Sequence, residues 1–140
     1  MYRTLLFAAG LTLGPALASP CFAGAAAAAG QTEPRLSPTY ETCMNAAAGV
    51  TMEMHDCISA EYERQDARLN QTYKAVLTRL SGAQKTSLRD TERAWLRKTK
   101  MLCDHAGDDN EGGTLQAIEI ADCQLTETAK RADALARYRP

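Results

Sequence analysis

The residues of this 140-residue chain that could do chemistry are few: two histidines, five cysteines, and a cluster of carboxylates at Asp104, Asp108, Asp109 and Glu111. His55 is followed by Asp56 and Cys57, and His105 is preceded by Cys103 and Asp104, so each has an acid and a thiol beside it in sequence. Such a set could ligate zinc or move a proton. Zinc sites, however, draw on closely spaced pairs such as C-x-x-C, and no cysteine spacing here provides one. There is no H-E-x-x-H helix, G-x-S-x-G elbow or phosphate-cradling glycine loop, and no nucleophile stands with its base. The expectation is a binding protein with no catalytic residue, no metal and no cofactor.

The acidic segment from Asp104 to Glu111 places four carboxylates in eight residues between two cysteines. An anchored loop of this kind presents negative charge to a cationic partner and speeds their association. A hydrated surface loop is the plainer alternative, since loops are polar as a rule. A calcium site does not fit, because the segment lacks the ligand spacing of an EF-hand and its closing bidentate glutamate.

A second constellation comprises Asp66, Asn70 and Tyr73, which at i, i+4 and i+7 project from one side of a helix. The structural reading is a polar network in which Asp66 accepts from Arg93 or Arg131, with Thr128 and Arg131, spaced i and i+3, closing it. The functional reading is a recognition patch. Trp95, the only tryptophan of a chain with two phenylalanines, is expected in the core.

The elements that must position these residues start after a targeting segment. Arg3 is followed by an uncharged apolar run from Leu5 to Ala18 and then by small residues, the three parts of a secretory signal. We assign residues 1–24 to a signal peptide cleaved in the region of Ala23 to Ala25, and expect the mature protein in the periplasm or outside the cell. Lipidation of Cys21 is the competing idea, but Pro20 stands where such signals carry a small residue. Residues 25–39, with an alanine run, Gly30, Pro34 and Pro38, read as a flexible leader, and residues 40–140 as one domain.

Removing Cys21 leaves Cys43, Cys57, Cys103 and Cys123, an even number that in an oxidising compartment reads as two disulfides. Sequence-local pairing joins Cys43 to Cys57 and Cys103 to Cys123. Pairing Cys43 with Cys103 and Cys57 with Cys123 is also sterically possible, and spacing does not separate the two. The chain has 16 basic and 17 acidic side chains, and loss of Arg3 leaves a net charge near −2. That balance argues against nucleic-acid or membrane-surface binding.

From Met52 to Leu80, Met54, Cys57, Ile58, Tyr62, Leu69, Tyr73, Val76 and Leu77 recur at helical intervals, with Thr51 as the expected N-cap. Ser81-Gly82 is expected to close that helix. A second helix from about Ala83 to Leu102 ends in a basic stretch, and the two-residue break between them implies an antiparallel hairpin. Asp104 to Gly113 has loop composition, and Thr114 is the expected cap of a third helix from Leu115 to about Arg137. The fold expected is all-α: a small antiparallel bundle of a long helical hairpin plus a third helix, preceded by a short helical turn and held by two disulfides.

Taken in order, Cys43, Met54-His55-Asp56-Cys57, Asp66-Ala67-Arg68-Leu69-Asn70 with Tyr73, Arg93-Ala94-Trp95-Leu96, Cys103, Gly112-Gly113-Thr114, Cys123, Thr128 and Arg131 form a pattern that resembles the LprI-like family. The resemblance covers about Cys43 to Leu135. It implies an exported helical domain and, for part of the family, binding and inhibition of lysozyme. One departure is Thr99-Lys100, where an Arg-Asp pair often precedes the third cysteine of such sequences. The expected partner is therefore lysozyme or another cationic wall hydrolase, met by Asp104, Asp108, Asp109 and Glu111. The alternative is an envelope assembly module that binds another exported protein or a peptidoglycan fragment.

Overall fold

Ser37 and Pro38 open the first helix of the computed structural model, which describes residues 33–139. The expected signal peptide, Cys21 and the alanine run lie outside the described residues. Ser37 is extended and its hydroxyl accepts from the Tyr40 backbone N–H, while Pro38, whose missing N–H has no partner to lose at a helix start, begins α1 at Pro38–Ala47. The folded part therefore starts ahead of Tyr40, and Leu36 already packs on the apolar core. Ala48 and Gly49 end α1 in the left-handed region, with φ of 47° and 86°.

The longest helix, α2, spans Thr51–Thr78, followed by α3 at Gly82–Asp104, a 3₁₀ turn at Asp108–Asn110 and α4 at Thr114–Ala136. No strand occurs among the described residues. Local capping differs from expectation at three places. Thr51 and Thr114 are the first residues of their helices, and Val50 and Gly113 hold the cap positions without a side-chain bond. Ser81-Gly82 opens α3 and does not close α2. Ser81 forms a reciprocal capping box with Gln84, which fixes the chain direction at the turn and leaves Gly82 in ordinary helical conformation.

Packing departs more from the simple hairpin. The principal partner of α2 is α4, with α1 laid across the start of α2 and α3 joined to α4 more sparsely. Ala129 and Ala132 are fully buried on α4, and side chains this small let α2 approach closely. Near the α2–α3 turn, Leu69, Val76, Leu80, Leu88, Ala132 and Leu135 form one apolar cluster; at the far end Ile58, Ile118 and Leu125 form another, covered by Leu36, Tyr40 and Met44. Only Leu88 and Cys103 of α3 are buried, near its two ends, while Leu96 and Met101 between them are 57% and 66% exposed. Trp95 is half-buried at the edge of the first cluster, a lining position in place of the expected central one.

The disulfides join Cys43 to Cys57 and Cys103 to Cys123, with Cα atoms 5.7 and 5.5 Å apart. The first ties α1 to α2 and the second ties the end of α3 to α4. Loops of 14 and 20 residues closed in this way each contribute about 3 kcal/mol by the chain-entropy argument.

A polar network with no counterpart in the sequence reading binds the segment before α1 to the bundle. The fully buried Glu61 accepts from the Ser37 N–H and hydroxyl, from Arg64 and from Gln65. Gln65 also donates to the Arg35 carbonyl, and Arg68 donates to Gln65, to Asp133 at 2.6 Å and to the Ala129 carbonyl. The Arg35 N–H completes the circuit on Asp133. Burial pushes both carboxyls up, but the bonds from Ser37, Gln65 and Arg64 at Glu61, and from Arg68 and Arg35 at Asp133, outweigh it and hold both below the ordinary carboxylate range.

Candidate functional site

Because α3 buries only Leu88 and Cys103 and sets Trp95 at the edge of the core, a groove of about 430 Å³ opens between it and α2. From α2, Tyr62, Asp66, Leu69, Asn70 and Tyr73 line it, a stripe generated by helical spacing. From α3 come Arg89, Glu92, Arg93, Trp95 and Leu96, and Thr128 of α4 lies at the buried floor. The groove thus gathers five of the six residues expected to form a buried network, with Arg131 just behind its wall.

Their bonds differ from those expected. Asp66 accepts from its own helix neighbour, Asn70, at 2.9 Å. Arg131 pairs with Glu92 in a two-nitrogen contact and stacks its guanidinium over Trp95, 5.9 Å from the ring centre. Arg93 pairs with Asp90 at 3.0 Å on the exposed side of α3. The cross-helix Asp66–arginine bond is therefore replaced: Arg93 of α3 pairs within its own helix and Arg131 of α4 pairs with Glu92 of α3. Arg89 is exposed and makes no ion pair with any described residue. The importance of Glu92 was not read from sequence, although its place beside the Arg93-Ala94-Trp95-Leu96 element was a usable signal.

The second candidate surface is the acidic loop. Cys103–Cys123 closes it, Gly107 is buried against Gln116, and Asn110 donates to Glu119 at 2.8 Å. A Cβ at Gly107 would meet Gln116 at 2.8 Å, which excludes any larger residue without movement. The Gly112 N–H, on a residue with φ of 74°, donates to the Gln116 side chain. Of the four carboxylates, Asp104 is paired with Lys100 at 2.6 Å and Asp108 with the His105 ring at 2.9 Å. Asp109 and Glu111 are exposed and form no ion pair with described residues. The loop therefore offers two uncommitted carboxylates on a framework tethered at several points.

His55 is exposed and lies 3.5 Å from the Ser59 hydroxyl. Among the described residues no three His, Cys, Asp or Glu side chains gather as a metal would require, and no helix is long and apolar enough to cross a membrane.

Comparison with known proteins places this geometry in context. Residues 43–135 match the family described as lysozyme inhibitor LprI, from the first cysteine of the domain to the last core leucine. The chain is also similar to an uncharacterized protein of Rhizobium meliloti (strain 1021), 27% identical over 93 residues that cover 57% of this chain and 67% of that one. No solved structure matches.

Proposed function

We propose, since this chain belongs to the lysozyme inhibitor LprI family, that it is an exported protein which blocks the cleft of lysozyme or a related wall hydrolase by occupying it. Inhibition of this kind requires no chemistry of its own. The signal peptide over residues 1–24 would deliver it to the periplasm or beyond, where its two disulfides persist.

The observation that supports this reading best is the tethered acidic loop. Cys103–Cys123, Gly107 under Gln116 and Asn110 on Glu119 tie the segment to α4 at three points. Little ordering entropy is then lost when it enters a cleft, and its charge is held ready for a basic partner. Asp109 and Glu111 are the leading contacts because they are uncommitted, while Asp104 and Asp108 must first exchange Lys100 and His105 for the partner.

The test is inhibition of lytic activity by the oxidised mature chain, against animal-type and goose-type lysozymes at low and moderate salt. Stoichiometric inhibition is expected, weakened at least tenfold by the double change Asp109→Asn with Glu111→Gln and less by Asp104→Asn with Asp108→Asn, as rim charges cost when removed. Absence of inhibition of both enzymes would overturn the reading. Inhibition indifferent to the loop changes would move the contact surface elsewhere.

A further inference from the structure

The α2–α3 groove is not used by the inhibitory reading, and its chemistry indicates a different ligand. We propose that it binds a pyranose sugar that carries a carboxylate, of the kind found in the glycan strands that wall hydrolases cut.

Three aromatic side chains line the groove, Tyr62 and Tyr73 on α2 and Trp95 on α3, the last with Arg131 stacked over one face of its ring. One face of a pyranose ring is a patch of C–H groups, apolar enough to lie on an aromatic face, while its rim of hydroxyls requires acceptors and donors. Asp66 and Glu92 meet that need. Each carboxylate has about four lone-pair sites, and Asn70 and Arg131 occupy only part of them while fixing the groups in place. A volume of about 430 Å³ suits a small ligand, the usual range being roughly 300–1,000 Å³.

The local charge at the Arg89–Arg93 stretch of α3 selects an acidic sugar over a neutral one. Glu92 is neutralised by Arg131 and Asp66 accepts only from the neutral Asn70, while Arg89 is unpaired among the described residues and Arg93 is held only by an exposed pair with Asp90. Arg89 and Arg93 stand at i and i+4, so both guanidiniums reach the same side of α3, with Arg97 one turn further. A carboxylate seated between the first two would accept charge-assisted, forked hydrogen bonds. A helix from a partner protein fits less well. The stripe from Tyr62 to Tyr73 is about 16 Å long at 1.5 Å per residue, and it carries an acid and an amide where a helix would lay its apolar face.

Because Trp95 is the only tryptophan of the chain and lines this groove, tryptophan emission reports on the groove wall. The experiment titrates the oxidised mature chain with the disaccharide of N-acetylglucosamine and N-acetylmuramic acid, and separately with the neutral disaccharide of two N-acetylglucosamines. The expected result is a saturable change in Trp95 emission with the acidic sugar at an affinity at least tenfold tighter than with the neutral one. Arg89→Gln should weaken the acidic sugar about tenfold, the loss of one charge-assisted contact, and bring it close to the neutral sugar. Tyr62→Ala should weaken both. These side chains are exposed, so helicity by circular dichroism should match the parent, and Lys74→Gln, an exposed change outside the groove, should leave binding as it was. No saturable change with either sugar, equal affinity for the two, or unchanged binding in the Arg89 variant would each overturn the proposal, as would a concentration-dependent dimer whose interface accounts for the emission change.

Discussion

The backbone N–H and the hydroxyl of Ser37 both donate to the buried carboxylate of Glu61, at 2.8 and 2.6 Å. The residue that caps α1 is thus also the lid on the deepest charge of the bundle, and the Tyr40 N–H, donating to the same hydroxyl, extends the chain of bonds into the helix. Ser37→Ala removes a helix cap and a hydrogen bond to an ionised group together. The expected cost is about 2 kcal/mol, read from the denaturant midpoint at neutral pH. A loss below a few tenths would mean that water replaces the hydroxyl and that the segment before α1 is not held through Glu61.

The same network should contribute to the acid dependence of stability. Glu61 and Asp133 have folded pKa values below their unfolded ones, so the unfolded chain binds more protons in acid. Their stabilising contribution is complete above the ordinary carboxylate range and is lost as pH falls through the lowered values. Asp133→Asn should reduce stability at pH 7 and flatten its acid dependence. An unchanged slope between pH 5 and 2 would show that other carboxylates dominate acid unfolding.

At the alkaline end the sign is reversed. Tyr40 is pushed up to about 12 by burial, with Asp122, which accepts its hydroxyl proton, adding to the effect. The neutral phenol is favoured in the fold, so its contribution is intact below the unfolded value near 10 and declines as pH rises towards 12. Phenolate absorbance should show one of the tyrosines titrating late, and that delayed step should vanish in Tyr40→Phe. Normal titration of every tyrosine in the folded protein would contradict the Tyr40–Asp122 contact.

The α2–α4 seam depends on small side chains. Ala132 has no exposed surface, and Ala132→Leu must push the two longest-contacting helices apart or force strained rotamers, at about 1–3 kcal/mol. Thermal unfolding of this variant beside Ala134→Leu, an exposed position on the same helix, checks it. Equal melting temperatures would remove the argument that close approach, and not merely apolar character, selects α4 as the partner of α2.

Cys103–Cys123 carries both stability and presentation of the acidic loop. Changing both residues to serine should cost about 3 kcal/mol and expose residues 104–113 to proteolysis at a rate the oxidised chain does not show. Resistance to cleavage after that change would assign the order of the loop to Gly107 and Asn110 alone.

Much of this protein was legible in its residues because the deciding interactions are local. Helical periodicity over Met54 to Leu80 needs only the chain's own neighbours, and the glycine-rich, acidic composition of 104–113 marks a break whatever packs around it. The pattern from Cys43 to Leu135 likewise placed the chain in its family. The four cysteines implied two bridges, but composition left their pairing open; the Cys43–Cys57 and Cys103–Cys123 bridges follow from where α1 lies on α2 and where α3 ends beside α4.

What only the tertiary structure decided is which helix faces which. Asp66, Asn70, Tyr73, Arg93 and Thr128 were readable as one group, yet whether they close into a network or line an open groove depends on how far α3 stands from α2. That separation goes with Ala129 and Ala132 fully buried where α4 meets α2, and with α3 leaving Leu96, Met101 and Leu102 exposed between Leu88 and Cys103. The Glu61–Gln65–Arg68–Asp133 circuit escaped the sequence for the same reason: its bonds span up to 98 residues, and a polar side chain carries no mark of the distant partner that will satisfy it until the chain is folded.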